Sequence, residues 1–251
     1  MTLLSAEILK LRRRRGLMAW SALLTVGSVV VAYGVMLGLH VADPAHHGPA
    51  GGAENLRHVM LLLANLGAVA AILIGTTAGS QDAVAGVFRD LVVTGRPRRA
   101  LFRIRTPGAL AVYVPMLAAA LALAVAGSYA LAGGEATPSL HVAVHDAIAV
   151  GALDSVTLAV AVGLAPLVPA RIATGILVGW HAFVGPLLAG VGALGIARAG
   201  IDVAAAMHLA PDLASDGTPV AMSTSTAIVV LLLWVGVSQR IGELWTRRAD
   251  A

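Results

Sequence analysis

Long apolar runs separated by short polar segments dominate this 251-residue chain. They cover residues 17–39, 59–79, 107–132, 142–168, 172–197 and 220–238. Each is close to the roughly 20 residues that cross a hydrocarbon core of about 30 Å at 1.5 Å per residue. The runs are continuous and do not alternate with polar residues, which predicts transmembrane helices and not barrel strands. The expected fold is an all-α polytopic membrane protein with six transmembrane helices forming one domain, 1–251. Composition agrees: 58% hydrophobic and 12% charged residues leave too little polar surface for a soluble fold of this length.

Charge adds an orientation. In a six-span reading, fifteen of the seventeen Lys and Arg residues fall on one side. They are Lys10 with Arg12 to Arg15, then Arg89, Arg96, Arg98, Arg99, Arg103 and Arg105, then Arg171, and finally Arg240, Arg247 and Arg248. Only Arg57 and Arg198 fall opposite. Positive residues beside short loops are retained in the cytoplasm, so a multi-pass protein of the inner (plasma) membrane with cytoplasmic N and C termini is expected. The basic clusters abut spans and carry no interleaved aromatics, which assigns them to membrane lipid headgroups and not to nucleic acid. The 23-residue first run is too long for a cleavable signal peptide and is expected to stay as an anchor.

There is no cysteine, so disulfides, thiolate metal sites and cysteine nucleophiles are excluded. Stability must come from helix packing. Gly34 and Gly38, Gly75 and Gly79, and Gly175 and Gly179 each form a small-x-x-x-small pair where backbones can approach closely, either as generic seams or as a dimer contact. Pro115, Pro166, Pro169 and Pro186 mark kinks, and Trp20 and Trp245 suit an interfacial aromatic belt.

Two segments outside the spans carry functional signal. Leu4, Ile8 and Leu11 form a stripe at i, i+4 and i+7, with Glu7, Lys10 and the Arg run elsewhere, which reads as an N-terminal amphipathic interfacial helix over residues 1–16 or as a simple positive anchor. Between the second and third spans, Val84, Val87, Phe88, Leu91 and Val92 recur at helical spacing in the longest cytoplasmic segment. An apolar stripe there calls for a membrane surface or a second protein to cover it.

These features together resemble the permease subunits of type-two ABC exporters. The N-terminal pattern of that family, Ser-x-Glu-x-x-Lys followed by basic residues, is matched by Ser5, Glu7, Lys10 and Arg12 to Arg15. The element after its second span is matched by Asp82, Gly86, Arg89, Leu91, Val92, Pro97 and Arg99. The resemblance covers the whole chain, including a polar excursion between the fifth and sixth spans, here Arg198 to Met222. It implies a cytoplasmic coupling helix over residues 81–94 that seats in a groove of a separate ATPase subunit, with Asp82, Gly86, Phe88, Arg89, Leu91 and Val92 as docking residues. It also implies pairing with a second copy or a sister permease, and an outer re-entrant segment around 199–210; a surface-lying helix fits that segment equally well. ATP and Mg belong to the partner subunit. The phosphate-cradling loop G-x-x-x-x-G-K-[ST] needs a Lys after Gly, and the only lysine, Lys10, follows Leu9. No cofactor is expected on this chain.

Asp154 and His181 fall deep in the fourth and fifth runs, where an ionised side chain costs at least about 2.5 to 3.5 kcal/mol. Counted from the turn at 168 and 169 they lie at similar depth. They are expected as an intramembrane polar pair, either a structural hydrogen bond or a substrate or proton site. Asn65, Thr76, Thr77, His181 and Phe183 are candidates to line a substrate path along the second and fifth spans. The outer histidines, among them His40, His46, His47 and His58, match no compact ligand motif, so no metal site is assigned. No catalytic constellation of side chains is recognisable, so no enzyme acting alone is expected. The resulting expectation is an ABC exporter permease for an apolar or amphipathic substrate. The alternatives are a proton-coupled secondary transporter using Asp154 and His181, and a non-transporting membrane anchor or immunity subunit.

Overall fold

The computed structural model describes residues 3–84, 97–211 and 220–248, with 81–84 described by their backbone. Among them there is no strand, and six helices are long and apolar enough to cross a membrane. The chain is an all-α polytopic membrane protein. In chain order the elements are α1 (Leu3–Arg12), α2 (Arg15–Ala42), α3 (Ala53–Val84), α4 (Arg98–Arg103), α5 (Arg105–Ala130), α6 (Leu140–Leu164), α7 (Ala170–Gly190), α8 (Asp202–Leu209) and α9 (Thr224–Arg248). Helices α2, α3, α5, α6, α7 and α9 are the six spans.

Local chemistry explains where these helices bend and end. In α2 the hydroxyl of Thr25 donates to the Ser21 carbonyl at 2.8 Å, and that of Ser28 donates to the Leu24 and Thr25 carbonyls. Such side-chain donors compete with the backbone ladder, and the turn Leu23–Gly27 opens into a π-helix. A second π turn, Trp180–Val184, lies in α7 just before Pro186. Ser223 begins α9 by accepting from the Thr226 N–H, so that helix starts at Thr224, not 220, and runs on to Arg248. Helix α7 stops at Gly190, short of the expected 197, because Val191 leaves the helical region and the chain turns at Gly195, which has φ +53°.

Helix α3 is the hub, packed by α2, α5, α6 and α7. Its seam with α6 is tight. A Cβ added at Gly75 would meet the Leu158 carbonyl oxygen at 2.7 Å, and one at Gly79 would meet that of Val162 at 2.5 Å. A second tight crossing joins α6 and α9, where Gly242 lies directly against the Gly163 carbonyl. The other two glycine pairs differ from expectation. A Cβ added at Gly34, Gly38, Gly175 or Gly179 would meet nothing within 4 Å, so these glycines form no seam among the described residues. Identical spacing marks only which residues share a face, and α2 and α7 turn those faces outward.

At the end of the bundle that carries both termini, polar side chains tie the helices together. Buried Arg105 donates to the Gly79 carbonyl at 2.7 Å and sits over the Phe102 ring. Buried Glu243 of α9 pairs with Arg99 at 3.0 Å, Arg103 at 3.4 Å and Arg240 at 3.5 Å, locking α4 to α9. Helix α1 lies against α5. Here the sequence-based stripe needs correction: Glu7 is buried with Leu11, while Leu4 is exposed. Glu7 fits because it pairs with Lys10 at 2.6 Å and packs on Gly108, where a Cβ would approach its Cγ at 2.5 Å.

Candidate functional site

The break after α7 builds the site. From Gly192 to Gly200 the chain winds back as a 3-10 segment, and α8 then begins at Asp202. The Asp202 carboxylate accepts a 2.8 Å hydrogen bond from Nε1 of Trp180. Trp180 stands ten residues into α7, about 15 Å from its start, which is near the middle of a hydrocarbon core of about 30 Å. On the other flank, Nε1 of Trp234 in α9 donates to the Gly200 carbonyl at 3.0 Å, and the two indole rings lie 5.8 Å apart. Gly185 admits Val203, whose Cγ2 would be 2.6 Å from an added Cβ. Helix α8 is thus held between α7 and α9, with its first residue at the level of Trp180.

Two adjoining cavities lie beneath it, of about 130 Å³ and about 170 Å³. They share Thr157, Val160, His181 and Asp202. The first adds Asn65 of α3, Asp154 of α6, Met207 of α8 and Leu231 of α9; the second adds Ile72, Ile176, Trp180 and Trp234. The walls are mostly apolar, and neither Lys nor Arg lines them.

Asp154 is 2% exposed. Its Oδ2 lies 2.7 Å from the hydroxyl of Tyr113 on α5, and that hydroxyl is also 3.0 Å from the Gly67 carbonyl of α3. Gly67 makes the arrangement possible, since a Cβ there would sit 2.5 Å from Oδ2. The expected pairing of Asp154 with His181 is therefore corrected. Both side chains line the first cavity, but Asp154 is held by Tyr113, while His181 faces the Ala64 backbone and Asp202. Depth along the chain puts the two at one level. It does not reveal that Asp154 turns toward Tyr113 of α5.

The other candidates divide. Asn65 lines the first cavity and donates to the Leu61 carbonyl at 2.8 Å. Thr76 is buried in packing, with its hydroxyl 2.8 Å from that of Thr174 on α7, and Thr77 donates to the Leu73 carbonyl; neither lines the two cavities. Phe183 is 72% exposed on the outer surface of α7, also away from them. Asp82 lies in the last turn of α3, whereas Gly86, Phe88, Arg89, Leu91 and Val92 fall outside the described residues. Sequence reasoning missed Tyr113, Trp180, Asp202 and Trp234. For Asp202 and Trp180 a signal existed, namely an acid and an indole within apolar stretches.

No protein-family model and no curated protein matches this chain.

At the opposite end from the termini, a wider cleft of about 510 Å³ is lined by His46, His47, Glu54, His58 and Glu135 among others. Its polar groups are used locally: His46 pairs with Asp43 at 2.8 Å, and Nδ1 of His40 lies 2.7 Å from the His47 carbonyl. Among the described residues no group of three or more His, Asp or Glu is arranged to hold a metal ion. The intramembrane cavity, with its apolar walls and few converging polar groups, is the stronger ligand site.

Proposed function

We propose that this chain is the membrane-spanning permease subunit of an ATP-driven ABC exporter for an apolar or amphipathic substrate. It pairs with itself or a sister permease, both termini lie in the cytoplasm of a plasma-membrane complex, and a separate ATPase subunit holds ATP and Mg. The observation that carries this reading is α8 closing an apolar intramembrane cavity from the side opposite the termini. A path blocked at one face and walled by hydrocarbon side chains suits a substrate that enters from lipid.

Two further features support it. Among the described residues α3 runs to Val84 and α4 begins at Arg98, so the candidate docking segment joins these two helices in sequence. Helix α1 is packed on α5 at the end of the bundle that carries the termini. Work delivered to the docking segment would reach α3, the hub, on one side and α4, locked to α9 by Glu243, on the other.

Replacing Phe88 and Leu91 with Glu tests the reading. Loss of the co-purifying ATPase subunit, with membrane insertion intact, is the expected result, and retained co-purification rejects the assignment.

A further inference from the structure

The hydroxyl of Tyr113 has one hydrogen and two acceptor oxygens in reach, Asp154 Oδ2 at 2.7 Å and the Gly67 carbonyl at 3.0 Å. Both contacts are satisfied as hydrogen bonds when Asp154 carries a proton and donates to Tyr113, which then donates to Gly67. An ionised, uncompensated carboxylate at this depth is also strongly disfavoured by lost solvation. Among the described residues Oδ1 of Asp154 accepts no hydrogen bond, and the residue lines the first cavity.

We infer that the cavity is a binding site for a lipophilic monocation, in which the cation takes the place of the proton on Asp154. On binding, the carboxylic acid gives up its proton to water, the carboxylate faces the cation, and the Tyr113 hydrogen turns from the Gly67 carbonyl to Oδ2. Charge is conserved: one cation enters and one proton leaves.

The surroundings fit this exchange. From α3 the cavity receives Asn65, and from α9 Leu231 and Trp234, none of them ionisable near neutrality. Among its ionisable groups are His181 from α7 and Asp202 from α8, while the Tyr113 hydroxyl of α5 meets Asp154 from behind the cavity wall. Asp202 is already engaged, with Trp180 Nε1 at 2.8 Å and His181 beside it, which leaves Asp154 as the acid without a compensating partner. The indoles of Trp180 and Trp234 at the second cavity offer aromatic faces, which attract cations. An apolar cavity of about 150 Å³ accepts a benzene ring, so cavities of about 130 and 170 Å³ suit one ring with an ammonium head.

This inference rests on reading the cavity as a ligand path, and it is tested on the purified full chain without ATPase or nucleotide. The probe is benzyltrimethylammonium, which has no proton of its own to lose. Calorimetric titration in buffers of different ionisation enthalpy counts the protons released. Wild type should release about one proton per bound cation, Asp154→Asn should bind more than about tenfold more weakly and release none, and Asp146→Asn, on the same helix but outside both cavities, should retain the release. No binding by wild type, binding without proton release, release surviving in Asp154→Asn, or release lost in Asp146→Asn overturns the proposal. If Asp154→Asn does not fold, the wild-type proton count and the Asp146→Asn result decide. Failure here leaves the ATPase co-purification unaffected, so the two readings fail separately.

Discussion

Three glycine pairs with the same spacing should respond very differently to alanine. At Gly75 an added Cβ would meet the Leu158 carbonyl oxygen at 2.7 Å and the Ala161 Cβ at 2.8 Å; at Gly79 the distances are 2.5 Å to the Val162 oxygen and 2.7 Å to the Ala165 Cβ. Ordinary contact begins at 3.4 Å, so α3 and α6 must separate by about 0.7 Å at Gly75 and about 0.9 Å at Gly79. The obstructing atoms are backbone oxygens and alanine Cβ atoms, which cannot rotate aside. Overpacking of this kind costs about 1–3 kcal/mol, and the better helix propensity of alanine returns up to about 1 kcal/mol. Net destabilisation of up to about 2 kcal/mol per site follows, less than additive for the double variant because one separation relieves both clashes. At Gly34, Gly38, Gly175 and Gly179 nothing lies within 4 Å, so alanine there should be neutral or slightly stabilising in the single chain. Thermal unfolding in detergent, followed by loss of the monodisperse elution peak, reads this directly. Gly75→Ala and Gly79→Ala as stable as Gly175→Ala and Gly179→Ala would refute the α3–α6 seam.

Glu243→Gln removes the buried anion shared by Arg99, Arg103 and Arg240, and should lower stability by about 1–3 kcal/mol, an effect that thermal unfolding would show to be larger than that of neutralising any one of the half-exposed arginines. Gly67→Ala places a methyl group 2.5 Å from Asp154 Oδ2 and should break the Tyr113 contact; the expected outcome is the loss of cation-linked proton release in a protein that still elutes as a folded species. Trp180→Phe removes the N–H donor to Asp202 and should destabilise by about 1–3 kcal/mol, with hydrogen exchange rising first in residues 202–209. Because the chain has no cysteine, His47→Cys should react from outside cells with a membrane-impermeant maleimide while Ser5→Cys should react only after permeabilisation; the reverse pattern contradicts the orientation.

The spans are readable because a continuous apolar run of membrane length fits little besides a membrane crossing, and all six are present. Their ends are less readable. Hydropathy falls at Ser80, Gln81 and Asp82, yet α3 continues to Val84, since helix geometry outlasts apolarity once the chain leaves the core. The opposite happens at Val191, where the sequence stays apolar but the helix stops and Gly195 turns the chain back. Asp154 and His181 stand out as ionisable residues in apolar runs. Which group holds Asp154 is not legible, because Tyr113 lies on a different helix and the contact needs Gly67 on a third. The glycine pairs show the same limit: spacing identifies a face, and only the packing of six helices decides whether the face meets a neighbour.

The most direct test of the central claim is substrate efflux from proteoliposomes holding this chain, with and without its co-purified ATPase subunit, using a lipophilic amphiphile as the transported molecule. The account predicts efflux only when both subunits and hydrolysable ATP are present. Efflux driven by a pH gradient in vesicles holding this chain alone would contradict it.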